Sequence, residues 1–305
     1  MPQATTISAA PRLSVIIAAV NGWDLLGPTL EALDGQPERA SIEIIVVAKF
    51  ADQVREPLAA GPWPVRLIEG TAGATIPALR HQGVVASRAD VVAILEDHVR
   101  VGPDWAGGML DAHASGAWGA VGGAVENGRE GLVNWAAFLC EYAKYMGPRA
   151  DEATDDLPGN NISYQRSHLL RHAHLLAEGK WESWINDQLR ADGIPLRGSS
   201  RAEVRHIKPF KLAHFLVQRF HFCRSYAGMR RPDQSWARRL IYGAGSTALP
   251  ALLTLRLVRT VLEKGRHRLK LAAALPLIAV FFAVGATGEM LGYLIGPGRS
   301  LELVE

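Results

Sequence analysis

Apolar residues along the first hundred positions recur in two rhythms. Leu13–Ala19 (LSVIIAA) and Ile42–Ala48 (IEIIVVA) are short, nearly unbroken β-branched runs, the pattern of strands covered on both faces. Val65–Glu69 is a third run and residues 90–95 (DVVAIL) a fourth. Between them the spacing changes to three and four. Leu25, Leu26, Thr29, Leu30 and Leu33 predict a helix over 24–33 behind the Asn21-Gly22 break, and a second helix is predicted over 76–87 behind Gly70 and Gly73. Strands alternating with helices in this way predict βαβ units, hence an α/β fold with a mostly parallel sheet flanked by helices. Ligands of such sheets bind beyond the carboxyl ends of the strands. The cluster Glu96-Asp97-His98 stands there, directly after the fourth run.

Beyond Trp105 the pattern is mixed. Residues 117–125 (AWGAVGGAV) predict a Gly-rich strand, 133–145 a helix with several aromatics, and 151–156 an acidic, mobile loop. The stretch 157–166 (LPGNNISYQR) leads into a helix at 167–176, and a further helix is predicted over 181–192. Trp135, Tyr142 and Tyr145 suit core packing, with stacking on a ligand ring as the alternative.

The last hundred residues differ in kind. Residues 208–222 interleave lysine, arginine and histidine with Phe210, Phe215, Phe220 and Phe222. Residues 241–255 carry no charge, and 271–295 only Glu289. The second run reaches the roughly 20 residues that a hydrocarbon core demands; the first is short unless Arg256 and Arg259 snorkel. Two crossings would put the basic 263–270 loop on the face opposite the basic 201–239 segment, against retention of Lys and Arg on the cytoplasmic side. A re-entrant or interfacial arrangement therefore competes with crossing, and a buried helical hairpin or oligomer interface is the soluble alternative.

Charge sharpens this division. The total of 33 Lys+Arg against 30 Asp+Glu conceals an excess of 8 acids in residues 1–200 and an excess of 13 bases in 201–270. The chain is expected to comprise an α/β domain at 1–208 and a basic, apolar helical membrane-associated region at 209–305, with homo-oligomer contacts, if formed, through the latter. An anionic membrane surface is the expected partner of the tail. Nucleic acid is not expected, because the basic residues lie among membrane-length apolar runs. Residues 1–10 carry no positive n-region or continuous apolar core, so no secretory signal is read and the domain is expected in the cytoplasm. Cys140 and Cys223 are far apart without a CxxC partner, which excludes a disulfide scaffold or cysteine-rich zinc site.

Two adjacent acids and an imidazole are costly to desolvate unless they face a cation or a cleft. Glu96, Asp97 and His98 suit Mg²⁺ or Mn²⁺ holding a substrate diphosphate; a solvated turn is the plain alternative. His172 and His174 are two apart on a helix, so they point to different faces and are assigned no ligand role.

The ordered set of segments resembles the family 2 glycosyltransferases of GT-A fold. LSVIIAAVN (13–21), IEIIVVA (42–48), IPALRHQGVVASRADVVAILEDH (76–98), GPDW (102–105) and PGNNISYQRSHLL (158–170) carry the likeness, over the first 200 residues. The resemblance implies a nucleotide-sugar donor (UDP-, GDP- or TDP-linked) bordered by Ala18, Ala19 and Asn21, with Arg80 near the base or diphosphate and Glu96, Asp97 and His98 on the metal and diphosphate motif. It implies a catalytic carboxylate in WESWINDQLRADG (181–193), Glu182 first and Asp187 second, and acceptor-side positions at Asn160 and Asn161, where Gly159-Asn160 is equally read as a turn. The chain departs from the pattern at Ala48-Lys49, where many members have two aspartates, which places Lys49 on the donor side near phosphate. It departs again where Glu96 and His98 replace the outer aspartates.

The reaction so expected is inverting, non-processive sugar transfer to an acceptor hydroxyl or phosphate, the acceptor lipid-linked, at the cytoplasmic membrane face. Processive synthases carry Gln-x-x-Arg-Trp, and Gln234-Ser235-Trp236-Ala237-Arg238 is not that motif. The competing classes are a nucleotidyltransferase, for which VNGWD is a poor phosphate loop, and a catalytically degenerate GT-A scaffold that binds a partner at the membrane.

Overall fold

The computed structural model describes residues 10–304, so the leader-peptide reading of residues 1–10 falls, but for Ala10, outside the described residues. In chain order the elements are β1 (Leu13–Ala19), α1 (Trp23–Asp34), β2 (Ile42–Ala48), α2 (Asp52–Ala60), β3 (Val65–Glu69), α3 (Ile76–Ala86), β4 (Val91–Glu96), β5 (Val99–Val101), α4 (Trp105–Ala114), β6 (Ala120–Gly122), β7 (Val125–Asn127) and α5 (Leu132–Tyr142). There follow β8 (Ala153–Thr154), β9 (Asn161–Gln165), α6 (Arg166–His172), α7 (His174–Ala177), α8 (Glu182–Ala191), β10 (Leu196–Gly198), β11 (Val204–His206), α9 (Leu212–Arg230), α10 (Trp236–Gly245), α11 (Leu249–Lys264) and α12 (Arg268–Ile295).

The chain divides into two compact units. The first, residues 10–126 and 145–208, is built on an eight-stranded sheet of order β3-β2-β1-β4-β9-β6-β10-β8. β1 pairs in parallel with β2 on one side and β4 on the other, and β2 in parallel with β3. β9 runs antiparallel between β4 and β6. The sheet is thus mixed but mostly parallel, with flanking helices, as the βαβ rhythm predicts. Every residue of β1 and β2 is buried, which explains their continuous apolar runs. Glu43 is tolerated inside β2 because it accepts hydrogen bonds from Ser14 Oγ at 2.5 Å, from the Arg88 amide at 2.7 Å and from Arg88 Nε at 2.9 Å.

Four expectations change in the middle of the unit. Residues 117–125 form not one strand but β6 and the start of β7, separated at Gly123, where a methyl group would fall 1.5 Å from the Ala202 carbonyl oxygen. Residues 157–166 contain β9, hidden in the sequence because the Gly159-Asn160 turn precedes only five extended residues. The acidic loop at 151–156 supplies β8, an edge strand antiparallel to β10. The helix expected over 167–176 breaks at Ala173 into α6 and α7.

A small second sheet of order β5-β11-β7 lies in the same unit. β11 is antiparallel to β5, with His206 opposite Val99, and the Ile207 amide donates to the His98 carbonyl at 2.9 Å. Asn161 ties the neighbouring loops together. Its Nδ2 donates to the carbonyls of Ala124 (2.9 Å) and Ala202 (2.7 Å), and its Oδ1 accepts from Trp105 Nε1 at 2.8 Å.

The second unit comprises residues 127–144 and 209–304, that is α5 with α9 to α12. α12 packs against α9 so closely that a methyl on Gly288 would lie 2.3 Å from the Phe220 carbonyl oxygen, and one on Gly292 2.5 Å from that of Arg224. Two helical stretches, Trp236–Lys264 and Arg268–Ile295, are long and apolar enough to cross a membrane by length and composition.

Because three buried partners depend on one amide, Asn161→Ala is expected to cost roughly 2–4 kcal/mol of unfolding free energy, read by urea denaturation. A loss below about 1 kcal/mol would contradict the linking role given to this side chain.

Candidate active site

β1 and β4 are neighbours, but the chain leaves β1 toward β2 and β3 on one side and returns to β4 on the other. Such a switch opens a crevice at the carboxyl ends of the two strands. The loop after β1 and the turn after β4 meet there through Asp97. Its Oδ2 accepts from the backbone amides of Val20 (2.7 Å) and Asn21 (2.8 Å), and its Oδ1 from Asn21 Nδ2 (2.8 Å). His98 Nδ1 lies 2.7 Å from the same Oδ1. Ala18 and Ala19 form the buried end of β1 beside this junction.

Glu96, His98 and His206 offer one ligand atom each, all within 4.8 Å of one another. Glu96 Oε2 lies 3.2 Å from His98 Nε2, and the rings of His98 and His206 meet edge to face with centroids 4.7 Å apart. Burial alone would lower the pKa of His98, but the Glu96 carboxylate and the hydrogen bond to Asp97 outweigh it and raise the value to about 9. His206 is pushed down to about 3 by burial and by the charge on His98, so its imidazole is neutral. Burial would raise Glu96 and Asp97; His98 beside them instead holds both below the ordinary carboxylate range.

One carboxylate and two imidazoles form a mixed oxygen and nitrogen donor set fit for a divalent transition ion. A further sign is that Glu96 Oε2 is buried with His98 Nε2 as its polar neighbour at 3.2 Å, so a cation held there would take the place of the proton on that nitrogen. His206 has no sequence signal. It stands 108 positions after His98, and only the β5–β11 pairing brings the two together. Asp97, expected among the ligands, accepts hydrogen bonds from the β1 loop and has His98 Nδ1 at 2.7 Å.

Arg80, buried in α3, extends the cluster. Its Nη1 is 2.6 Å from Glu182 Oε2 and its Nη2 3.9 Å from Glu96 Oε1. Glu182 opens α8 and is 2% exposed, while its Oε1 has no hydrogen-bond partner among the described residues. Asp187 lies five residues on, about 140° around the helix, exposed and paired with Arg190 at 2.6 Å. The structure thus brings Glu182, not Asp187, to the cluster. Asn160 is buried with both amide atoms lacking a partner among the described residues, whereas the Asn161 amide is occupied in joining loops. Lys49 follows β2; its amide donates to the Ala19 carbonyl and its ammonium sits 5.6 Å from the Phe50 ring centre.

A metal-competent cluster and a buried carboxylate at the switch point of a mostly parallel sheet are features of a nucleotide-sugar-dependent GT-A-like domain. The chain belongs to glycosyl transferase family 2, whose family model matches residues 14–170, and it is accordingly a glycosyltransferase. Two solved structures share the fold. The mannosyltransferase PcManGT from Pyrobaculum calidifontis, in complex with GDP-Man and Mn2+, is 16% identical with a TM-score of 0.58 over 93% of this chain and 88% of that one. GalNAc-T7 with UDP, GalNAc and Mn2+ is 14% identical with a TM-score of 0.52 over 67% of this chain and 45% of that one. No curated protein matches the chain significantly.

His98 must shed a proton to ligate a metal, and with a pKa of about 9 it carries that proton at neutral pH. Proton competition therefore weakens as pH rises. Mn²⁺ affinity, followed by the loss of the free-ion paramagnetic resonance signal, is expected to increase about tenfold per unit between about pH 6 and pH 8. A flat profile would contradict His98 as a ligand. His206→Ala is expected to weaken Mn²⁺ binding at least about tenfold, and unchanged binding would remove it from the site.

Proposed function

We propose that this chain is an inverting, non-processive glycosyltransferase that moves a sugar from a nucleotide-sugar donor to a hydroxyl or phosphate of a lipid-linked acceptor at the cytoplasmic face of a membrane. The observation that carries the catalytic part is the Glu96–Arg80–Glu182 chain of charges, which joins the metal-competent cluster to a buried carboxylate. The donor lies in the crevice bordered by Ala18, Ala19 and Asn21, where Asp97 holds the loop in place. Lys49 serves the donor phosphates from the end of β2, and Asn160 offers its amide to a hydroxyl of donor or acceptor. A divalent ion held by Glu96, His98 and His206, Mn²⁺ or Mg²⁺, supplies charge neutralisation at the diphosphate.

The work of Glu182 follows from its two oxygens. Arg80 anchors Oε2, fixing the carboxylate plane, and Oε1 is left to accept the proton of an acceptor hydroxyl. The acceptor oxygen bonds to the anomeric carbon from the side opposite the nucleotide, the bond from that carbon to the phosphate oxygen breaks, and the nucleoside diphosphate departs. One displacement inverts the anomeric configuration. The membrane part of the reading is supported by the two long apolar helical stretches and the basic residues among them.

Glu182→Gln keeps the shape and removes the base. It is expected to lower transfer by about 10²–10⁴-fold while nucleotide binding and melting temperature stay near those of the parent. Retained turnover would move the base to Asp187. The configuration of the product, read by proton resonance coupling at the anomeric centre, is expected to be opposite to that of the donor.

A further inference from the structure

α12 is the most apolar helix of the chain, yet its surroundings do not suit a bilayer. In the second unit it is covered by α9, which carries Gln218, Arg219, His221, Arg224 and Arg230. Arg219 faces Glu141 of α5 at 3.8 Å, and a methyl on Gly285 would lie 3.2 Å from Arg219 Nε. Gly285 is two residues, about 3 Å, past the centre of the apolar run 271–295. At the two ends of the helix, Lys270 pairs with Glu130 at 2.6 Å and Arg224 Nε donates to the Gly296 carbonyl at 3.2 Å. Were α12 to span, α9 and α5 would enter the hydrocarbon with it and bring the Arg219–Glu141 pair to mid-depth, where ionised side chains are costly. No stretch containing α9 is long and apolar enough to cross.

α12 itself leaves apolar side chains open at Val280 and Ile295, and a second open apolar surface lies on the helices before it. On α11, Leu252, Leu255 and Leu262 are exposed at a spacing of three and seven, one helix face, while Leu257 and Val261 are buried on the other. Arg256 and Arg259 are exposed on the same side as these leucines. Within the window that marks Trp236–Lys264 as apolar, only 17% is buried, too little for a core helix. On α10 Ile241 is 66% exposed with Arg238 exposed three residues before it on the same side, while Trp236, 73% exposed, lies about 140° from Ile241 around the helix. Exposed leucine and isoleucine rimmed by arginine form the surface that lies in the headgroup region of an anionic bilayer, apolar groups dipping below and guanidinium groups meeting phosphate.

We propose that the second unit binds an anionic lipid surface from one side, through the α10–α11 face, and that α12 does not span. This rests on the membrane attachment proposed above and specifies its mode.

The test uses the full chain and sealed vesicles. Flotation is expected with phosphatidylcholine vesicles containing about 30% phosphatidylglycerol, and to fall at least about tenfold with pure phosphatidylcholine or in 0.5 M salt. Leu255→Glu with Leu262→Glu is expected to abolish flotation while leaving melting temperature and Mn²⁺ binding unchanged. Single cysteines at the two ends of α12, Leu269→Cys and Ile295→Cys, are both expected to react with an impermeant maleimide added outside, above the level of the parent chain. Flotation that survives the glutamate pair, protection of one end of α12, or a lipid-free dimer that the pair dissociates would each overturn the proposal. Mn²⁺-dependent turnover of a nucleotide sugar, assayed in the same samples, tests the enzymatic reading separately.

Discussion

The Asp97 carboxylate is the joint on which the site depends. It reaches from the end of β4 to the loop leaving β1 and accepts two backbone amides and one side-chain amide there, with His98 beside it. Buried charge of this kind is stable only when its lone pairs are filled. Here they are filled by the loop that borders the crevice, so the shape of the crevice and the ionisation of the cluster have one cause. Without that joint, Asn21 would lose its anchor and His98 the partner that orients its ring.

From this point outward each residue of the cluster is set by another. Asp97 holds Nδ1 of His98, which turns Nε2 toward Glu96; the β5–β11 ladder sets His206 against the same ring; Arg80 then bridges Glu96 to Glu182. The ordering matters because imidazoles and carboxylates at these distances share protons and cations, and a ligand's geometry is set by what its other atoms touch. Position on strand ends, a tight turn and two helices keeps the arrangement ready before a substrate arrives.

Much of this was legible in the sequence where local pattern and tertiary role coincide. The runs at 13–19 and 42–48 are apolar because both faces of those strands are covered, and the acids at 96–97 follow a strand end because that is where a cleft opens. What could not be read is what the chain brings together from afar. His206 has neither a spacing rule nor a neighbouring motif, and its place comes from a three-residue strand. β9 lies behind a turn-forming Gly-Asn pair and is too short to show a period. Asn161 reads like an acceptor contact, yet its amide spans two backbone carbonyls and an indole, a fact of loop packing alone. In the tail, composition shows long apolar runs but not that Arg219 and Glu141 lie beside the middle of the second.

The central claim is that the β1–β4 crevice binds a nucleotide sugar through a divalent ion held at Glu96, His98 and His206. Calorimetric titration of the intact chain with UDP-, GDP- and TDP-sugars, with Mn²⁺ and then with chelator, tests it most directly. One nucleotide class is expected to bind with Mn²⁺ present and to weaken by at least about tenfold when the ion is removed. Binding of no donor in either condition, or equal binding with and without the ion, would contradict it.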